Sequence, residues 1–546
     1  MRTVRWCLTV ALVAGLVLTG APPAPAAPPG SSPRDPVLRG IDLEQATVLD
    51  LQDAMDRRKL TSTELTRFYL DRIRSLDPRL NAVIETSPHA VRDAVLSDLR
   101  RRFHGPRSPL EGIPVLLKDN IDTDDRLHTT AGSFALLKAR PARDAFLVAQ
   151  LRRAGAVVLG KANLSEWANF RSTSSSSGWS ARGGQVNNPY VLDRNPCGSS
   201  SGSAVAAAAH LATVTIGTET NGSVVCPASA NSVVGIKPTL GLVSRSGIVP
   251  ISAEQDTAGP ITRNVTDAAA VLSVVQGVDP RDPATGDAAD FVDRDYLAAL
   301  EPGALAGKRI GVWREPTAEN PEVEAVLDAA VAALQGQGAV IVDNVQLSGM
   351  DEVLAAQFPA LLVEFKHDLN AYLAATPGRH PGDLAGLIEF NTDHADLELP
   401  FFGQEIFELA EATGGDLTDP EYQQQRATAT GGARAAIDGA IAAHDLDAIV
   451  APTNNAPWLT DLANGDDFTG FVSSSSPAAI SGYPNLTVPA GYVRGDLPLG
   501  VSFFGSRFSE PTLIAIGYAF EQATQLRRLP SFLPTLPEPA SIPAGG

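Results

Sequence analysis

Cysteine is scarce here, with three residues in 546, and positive charge is in deficit, with 43 Lys and Arg against 62 Asp and Glu for a net charge of −19. So few cysteines argue against a disulfide-built scaffold. The acidic balance argues against nucleic-acid backbones and anionic membrane surfaces as partners. Histidine is sparse and scattered, no HExxH occurs, and the cysteine spacing matches no zinc site, so no metal site is expected. Long apolar runs are missing too. The one notable run, Cys7 to Leu18, falls short of the about 20 apolar residues that span a bilayer. Arg2 and Arg5 precede it and Ala24-Pro25-Ala26 follows, so residues 1–26 read as a signal peptide cleaved near Ala26/Ala27. The expectation is a secreted mature protein of net charge −21, without membrane association. Its two cysteines, Cys197 and Cys226, are read as small buried thiols in a fold too large to need a bridge, with one disulfide as the alternative.

What is present is a core. Hydrophobic residues make up 44% of the chain and charged residues 19%, a globular composition. Residues 27–40 read as a flexible lead-in, 41–535 as one domain and 536–546 as a flexible tail. Thr61 and Glu64 form a capping box ahead of Leu65, Tyr69, Ile73 and Leu76, an apolar stripe at helical spacing. A helical segment between Arg143 and Gly160 leads into the strand-like Ala156 to Leu159. The unit returns as strand Arg309 to Val312, helix Pro321 to Leu334 and strand Ala339 to Val345, then as strands Ala448 to Val450 and Leu486 to Val488 and a helix near 510–527. This alternation predicts an α/β fold with a largely parallel or mixed sheet. Residues 346–443 break the pattern, being helical and acidic with an apolar knot at Leu399-Pro400-Phe401-Phe402. They read as an insertion or lid, or else as a packing layer.

Chemistry concentrates in residues 196–247. Pro196-Cys-Gly-Ser-Ser-Ser-Gly-Ser203 runs into the alanines 204–209, a helix with almost no side-chain bulk that can pack backbone to backbone. The serines and glycines ahead of it put N–H groups and hydroxyls at a helix start, where negative charge is favoured. A second loop, Thr218 to Gly222, leads from an apolar strand into Ser223. Two such loops can supply a nucleophile, a proton relay and an oxyanion site.

The chain resembles the amidase signature hydrolases in Gly112-Ile-Pro-Val-Leu-Leu-Lys-Asp119, Gly160-Lys-Ala-Asn163, Pro196 to Ser203, Gly217 to Pro227 and Gly235-Ile-Lys-Pro-Thr239. It is closest to the bacterial peptide amidases of that family in Trp167-Ala-Asn-Phe-Arg171, Gly178-Trp-Ser-Ala-Arg-Gly-Gly184 and Asn195 to Gly202. The resemblance implies a three-layer α/β/α fold with a central mixed sheet, and hydrolysis of a carboxamide to a carboxylate and ammonia without a cofactor. It makes Ser223 the nucleophile, Ser199 the relay on a cis peptide, Lys118 the base, and the N–H groups of Thr220, Asn221, Gly222 and Ser223 the oxyanion site. The implied substrate is a small-molecule or peptide amide, with C-terminal peptide amides favoured, and no obligate protein partner is implied. The alternatives are broader amide hydrolysis, a silent binding protein and an amidotransferase subunit. Two departures concern positions that line the site: the usual Asp-x-Gly-Gly-Ser is Glu219-Thr-Asn-Gly-Ser223, and Val225 stands where Arg is frequent.

The residues support these roles on their own terms. An amide is a poor electrophile with a poor leaving group, so a hydroxyl needs a base and the departing amine needs a proton. The apolar run Pro114 to Leu117 carries Lys118 toward a dry interior, where desolvation can make a lysine neutral. Adjacent Asp119 should face the other way, since successive strand residues alternate. Three rival patterns fail. Gly198-Ser-Ser-Ser-Gly202 fits a nucleophile elbow centred on Ser200, but polar, proline-broken Asp193 to Pro196 is no buried strand. Gly155 to Lys161 lacks the Ser or Thr of a P-loop, having Ala162 instead. His210, after the alanines, reads as a core histidine.

Overall fold

Short apolar runs bounded by glycine, proline and Asp/Asn turns become the strands of this protein. In the computed structural model, which describes residues 35–317, 319–466 and 470–537, eleven of them form one central sheet, apart from two small two-stranded ribbons. Residues 1–26, read above as a signal peptide, most of the 27–40 segment and most of the 536–546 segment lie outside the described residues. In chain order the strands of the central sheet are β1 (Val83–Thr86), β2 (Pro114–Lys118), β3 (Val157–Ala162), β4 (Val214–Glu219), β5 (Val234–Lys237), β6 (Thr257–Thr262), β7 (Arg309–Val312), β8 (Val340–Val342), β9 (Ala448–Pro452), β10 (Asn485–Val493) and β11 (Leu497–Phe504).

Across the sheet they run β8-β7-β9-β11-β10-β5-β6-β4-β2-β3-β1. The pairs β2·β3, β2·β4, β7·β8 and β7·β9 are parallel and the others antiparallel. The sheet is therefore mixed, as expected, with helices flanking it. Both faces are covered, and β2, β3, β4, β6, β9 and β11 are buried along their whole length. For β2, β9 and β11 that matches their largely apolar sequences. The main apolar core contains Val115, Leu116 and Leu117 from β2, Val214 and Ile216 from β4, and Val501 and Phe503 from β11.

Helix α1 (Ser62–Leu76) starts at the capping box, with the Thr61 hydroxyl receiving the Glu64 N–H and the Glu64 carboxylate the Thr61 N–H. The alanine-rich segment forms α2 (Ser201–Ala208), buried along its length. Its packing is backbone to backbone: a Cβ on Gly202 would lie 2.3 Å from the Ala82 carbonyl oxygen and 2.4 Å from that of Asn163. A short helix, α3 (Val225–Ala230), follows Ser223. Residues 346–443 are largely helical, with α4 (Met350–Ala375) packed against α5 (Pro420–His444). Their apolar knot is seated, since Phe401 and Phe402 meet Trp179 edge-on with ring centres 5.6 and 5.0 Å away.

Candidate active site

Lys118 ends β2 and Glu219 ends its parallel neighbour β4. Both therefore stand at the carboxyl edge of the strands, where open α/β sheets bind ligands. The apolar strand delivers Lys118 into full burial. Its Nζ lies 2.8 Å from the Ser199 hydroxyl, 2.9 Å from the Thr218 hydroxyl and 3.2 Å from the Thr218 carbonyl. All three partners are uncharged. Burial lowers the Lys118 pKa to about 7, against the opposing pull of the Asp256 and Glu219 carboxylates. Half of the amines then carry a free lone pair near neutrality, which is what a base needs. Asp119 points away as expected: it pairs with Arg182 at 3.7 Å and accepts the hydroxyl of Thr130 and the N–H of Gly132.

Ser199 sits two residues before the start of α2, on a cis peptide with Gly198. Ser223 sits on the second loop and lines a cavity of about 350 Å³ together with Thr220, Asn221 and Gly222. Glu219, the first of the two departures, braces the start of the helix that follows the loop. One Glu219 oxygen receives the N–H groups of Val224 at 2.7 Å and Val225 at 3.0 Å. Among the described residues, no hydrogen bond uses the N–H groups of Asn221, Gly222 or Ser223. Gly222 has φ +80°, a left-handed conformation that favours glycine. On the far side, the Asn221 amide is held by the hydroxyls of Ser475 at 2.7 Å and Ser476 at 3.1 Å.

The cysteine expectation is corrected. Cys197 and Cys226 form a disulfide, with Cα atoms 6.0 Å apart, rather than two thiols. Folding brings the two serine loops together and so aligns residues 29 apart in sequence, a convergence no local pattern encodes. Both cysteines line the cavity, so the bridge ties the Ser199 loop to the Ser223 loop at the site itself. Phe170, Ile251, Leu361, Trp458 and Phe471 form the apolar wall, and no charged side chain is among the described lining residues. Leu361 and Gln357 come from α4, so the helical layer both packs and walls the cavity.

The rival patterns have other uses. The Ser200 hydroxyl is fully buried and engages the Thr218 backbone, donating to its carbonyl at 3.0 Å and accepting its N–H at 3.1 Å. Lys161 lies in β3 and donates to the Ile121 carbonyl and the Thr129 hydroxyl. His210 is buried against Glu44 at 2.6 Å. Sequence reasoning missed Thr218 as a lysine partner, although it stood inside the chemical segment. It also missed Asp256, whose carboxylate accepts the Thr220 hydroxyl at 2.5 Å, and the serines at 475 and 476. These lie far along the chain in no recognisable pattern. Among the described residues, no three His, Cys, Asp or Glu side chains are arranged to hold a metal.

The family model for amidases matches residues 64–514. A probable amidase of Arabidopsis thaliana is 44% identical over 503 residues, covering 90% of this chain and 93% of its own length. The X-ray structure of the native peptide amidase from Stenotrophomonas maltophilia aligns with a TM-score of 0.84 at 50% identity, covering 89% of this chain and 99% of that one. A glutamyl-tRNA(Gln) amidotransferase subunit of Moorella thermoacetica is 35% identical over 494 residues, covering 89% of this chain and 98% of its own length. Similarity of this extent, carried through the strands that seat Lys118 and the loops of Ser199 and Ser223, makes the protein a member of the amidase signature family and an amide-hydrolysing enzyme.

Proposed function

We propose that this enzyme is an exported peptide amidase that converts C-terminal carboxamides to carboxylates with release of ammonia. The observation that carries the reading is the buried contact of Lys118 Nζ with the Ser199 hydroxyl, beside a cavity that Ser223 lines. Ser223 attacks the carboxamide carbon, and its proton passes through the Ser199 hydroxyl to neutral Lys118. The oxyanion is met by the open N–H groups of the loop containing Thr220, Asn221 and Gly222. The proton returns to the departing nitrogen, ammonia leaves, and water cleaves the acyl-serine by the same relay.

The cavity lining supports the substrate class. A peptide amide is neutral near its reacting end and suits walls of Phe170, Ile251 and Trp458. A free amino-acid amide brings an α-ammonium and glutamine brings a carboxylate as well. Among the described lining residues neither finds a counter-charge, and burying an unpaired charge costs several kcal/mol or more. The same mismatch weighs against an amidotransferase role, in which glutamine would have to be held. The Cys197–Cys226 disulfide suits an oxidising compartment, which supports export.

Ammonia release measured across peptide amides, free amino-acid amides, fatty amides, acetamide and glutamine tests the substrate. Peptide amides should have the highest kcat/KM, and a preference for fatty amides, acetamide or glutamine would overturn the assignment. Ser223→Ala should abolish turnover with an unchanged unfolding curve. Turnover that survives in Ser223→Ala but not in Ser200→Ala would move the nucleophile to Ser200. Export predicts a mature chain in the medium beginning near Ala27.

A further inference from the structure

Behind the Ser223 loop lies a chain of buried polar groups that the mechanism above does not use. Arg426 on α5 pairs with Glu364 on α4 through two contacts of 2.6 Å. Tyr422 and Ser252 donate their hydroxyls to the same carboxylate, at 2.9 and 2.6 Å. Arg426 has one further use: its Nη1 donates to the side-chain carbonyl of Gln255 at 2.8 Å. The Gln255 amide nitrogen then donates to the Thr220 main-chain carbonyl at 3.2 Å. Gln255 is fully buried. Only one orientation of its amide fits, because a guanidinium can only donate and a main-chain carbonyl can only accept.

We infer that Arg426 and Glu364, reaching in from the helical layer, are positioning residues that act through Gln255 to hold the Thr220–Asn221 peptide with its N–H turned toward the acyl cavity. The inference rests on the reading of residues 220–223 as the oxyanion loop. The Thr220 carbonyl and the Asn221 N–H share one planar trans peptide and point in opposite directions. Gln255 is not among the residues lining the cavity, whereas Thr220 and Asn221 are. Pulling the carbonyl toward Gln255 therefore leaves the N–H on the cavity side. Two further contacts limit what the loop can do. Asp256 holds the Thr220 hydroxyl and Ser475 the Asn221 side chain, but neither contact fixes the rotation of the peptide between them. Gln255 does.

The test uses Gln255→Met and the double variant Arg426→Met/Glu364→Met. The double variant removes both buried charges together and so leaves no unpaired ion. Each is assayed for ammonia release from a peptide amide and for inhibition by a peptide aldehyde, whose serine adduct places an oxyanion where the reaction does. Loss of one aligned oxyanion donor lowers kcat by about 100-fold to 1,000-fold. A displaced but still present donor should cost about 10-fold to 100-fold in kcat, with KM within about threefold and the aldehyde Ki raised by the same factor as kcat falls. A residue that merely stabilised the fold would lower the unfolding midpoint and leave the kcat and Ki of the folded fraction alone. Wild-type kcat and aldehyde Ki in folded Gln255→Met would overturn the inference, as would that result in the double variant should Gln255→Met not fold. Retained turnover in Ser223→Ala is a different outcome, since it removes the loop's role and the inference with it.

Discussion

Replacing Lys118 with Met or Arg separates proton transfer from charge. An amine of ordinary pKa 10.5 that sits at about 7 in the fold carries a penalty on the order of 5 kcal/mol whenever it is protonated. The unfolded chain keeps that proton up to about pH 10.5, while the folded chain releases it above about 7. Between those values the unfolded state binds more protons, so Lys118 makes stability rise with pH. The penalty is present in full below pH 7 and fades toward pH 10. A methionine side chain in its place would carry no proton in either state. Urea unfolding of the two proteins should therefore show the relative stability of Lys118→Met shrinking by about 3 kcal/mol between pH 6 and pH 9.5. In the wild type, kcat/KM should rise with pH through about 7, falling to about a tenth of its plateau at pH 6 and about a hundredth at pH 5. Lys118→Arg should be as inactive as Lys118→Met, because a guanidinium does not give up its proton. A stability difference that does not vary with pH, or substantial activity in Lys118→Arg, would refute the base assignment.

Asp256→Asn should move the acid limb of kcat/KM to lower pH, since its carboxylate is the largest of the charges favouring the Lys118 cation. An unmoved or raised limb contradicts this electrostatic account. Reduction of the Cys197–Cys226 bridge, or its replacement by a pair of serines, should cost about 3–4 kcal/mol in the chain-entropy model for a loop of this length. It should also depress turnover by freeing the Ser199 loop from the Ser223 loop, and thiols that titrate readily in the native protein would show the bridge unformed. Gly202→Ala should destabilise the protein by more than the about 1–3 kcal/mol of ordinary overpacking, because its Cβ would collide with backbone oxygens rather than with movable side chains. Helix propensity alone predicts a gain of about 1 kcal/mol, so the sign of the measured change decides which effect wins.

Much of this was legible because it is local. The α1 cap needs only Thr61 and Glu64 three residues apart, and β2 needs only the unbroken Pro114-Val-Leu-Leu run that carries Lys118 into the dry interior of the sheet. The alanines after Gly202 announce a helix built for close backbone approach, and a Cβ there has no room. The family resemblance supplied the pairing of Lys118 with Ser199, which stand 81 residues apart and meet at 2.8 Å. Other features were settled by tertiary structure alone. The Cys197–Cys226 bridge depends on how two loops converge, and neither cysteine's neighbours encode that. The depression of the Lys118 pKa was expected from burial, but the charges that oppose it, Asp256 and Glu219, are set by where β4 and the turn before β6 end. The link from Arg426 through Gln255 to Thr220 joins residues more than 200 positions apart. Propensity and period act over a few residues, whereas a hydrogen bond between distant residues exists only once the sheet and its helical layer have fixed both ends. The sequence by itself determined the apolar runs of several strands, the α1 cap and the nature of the chemistry; the packing of the layers decided which buried groups hold that chemistry in place.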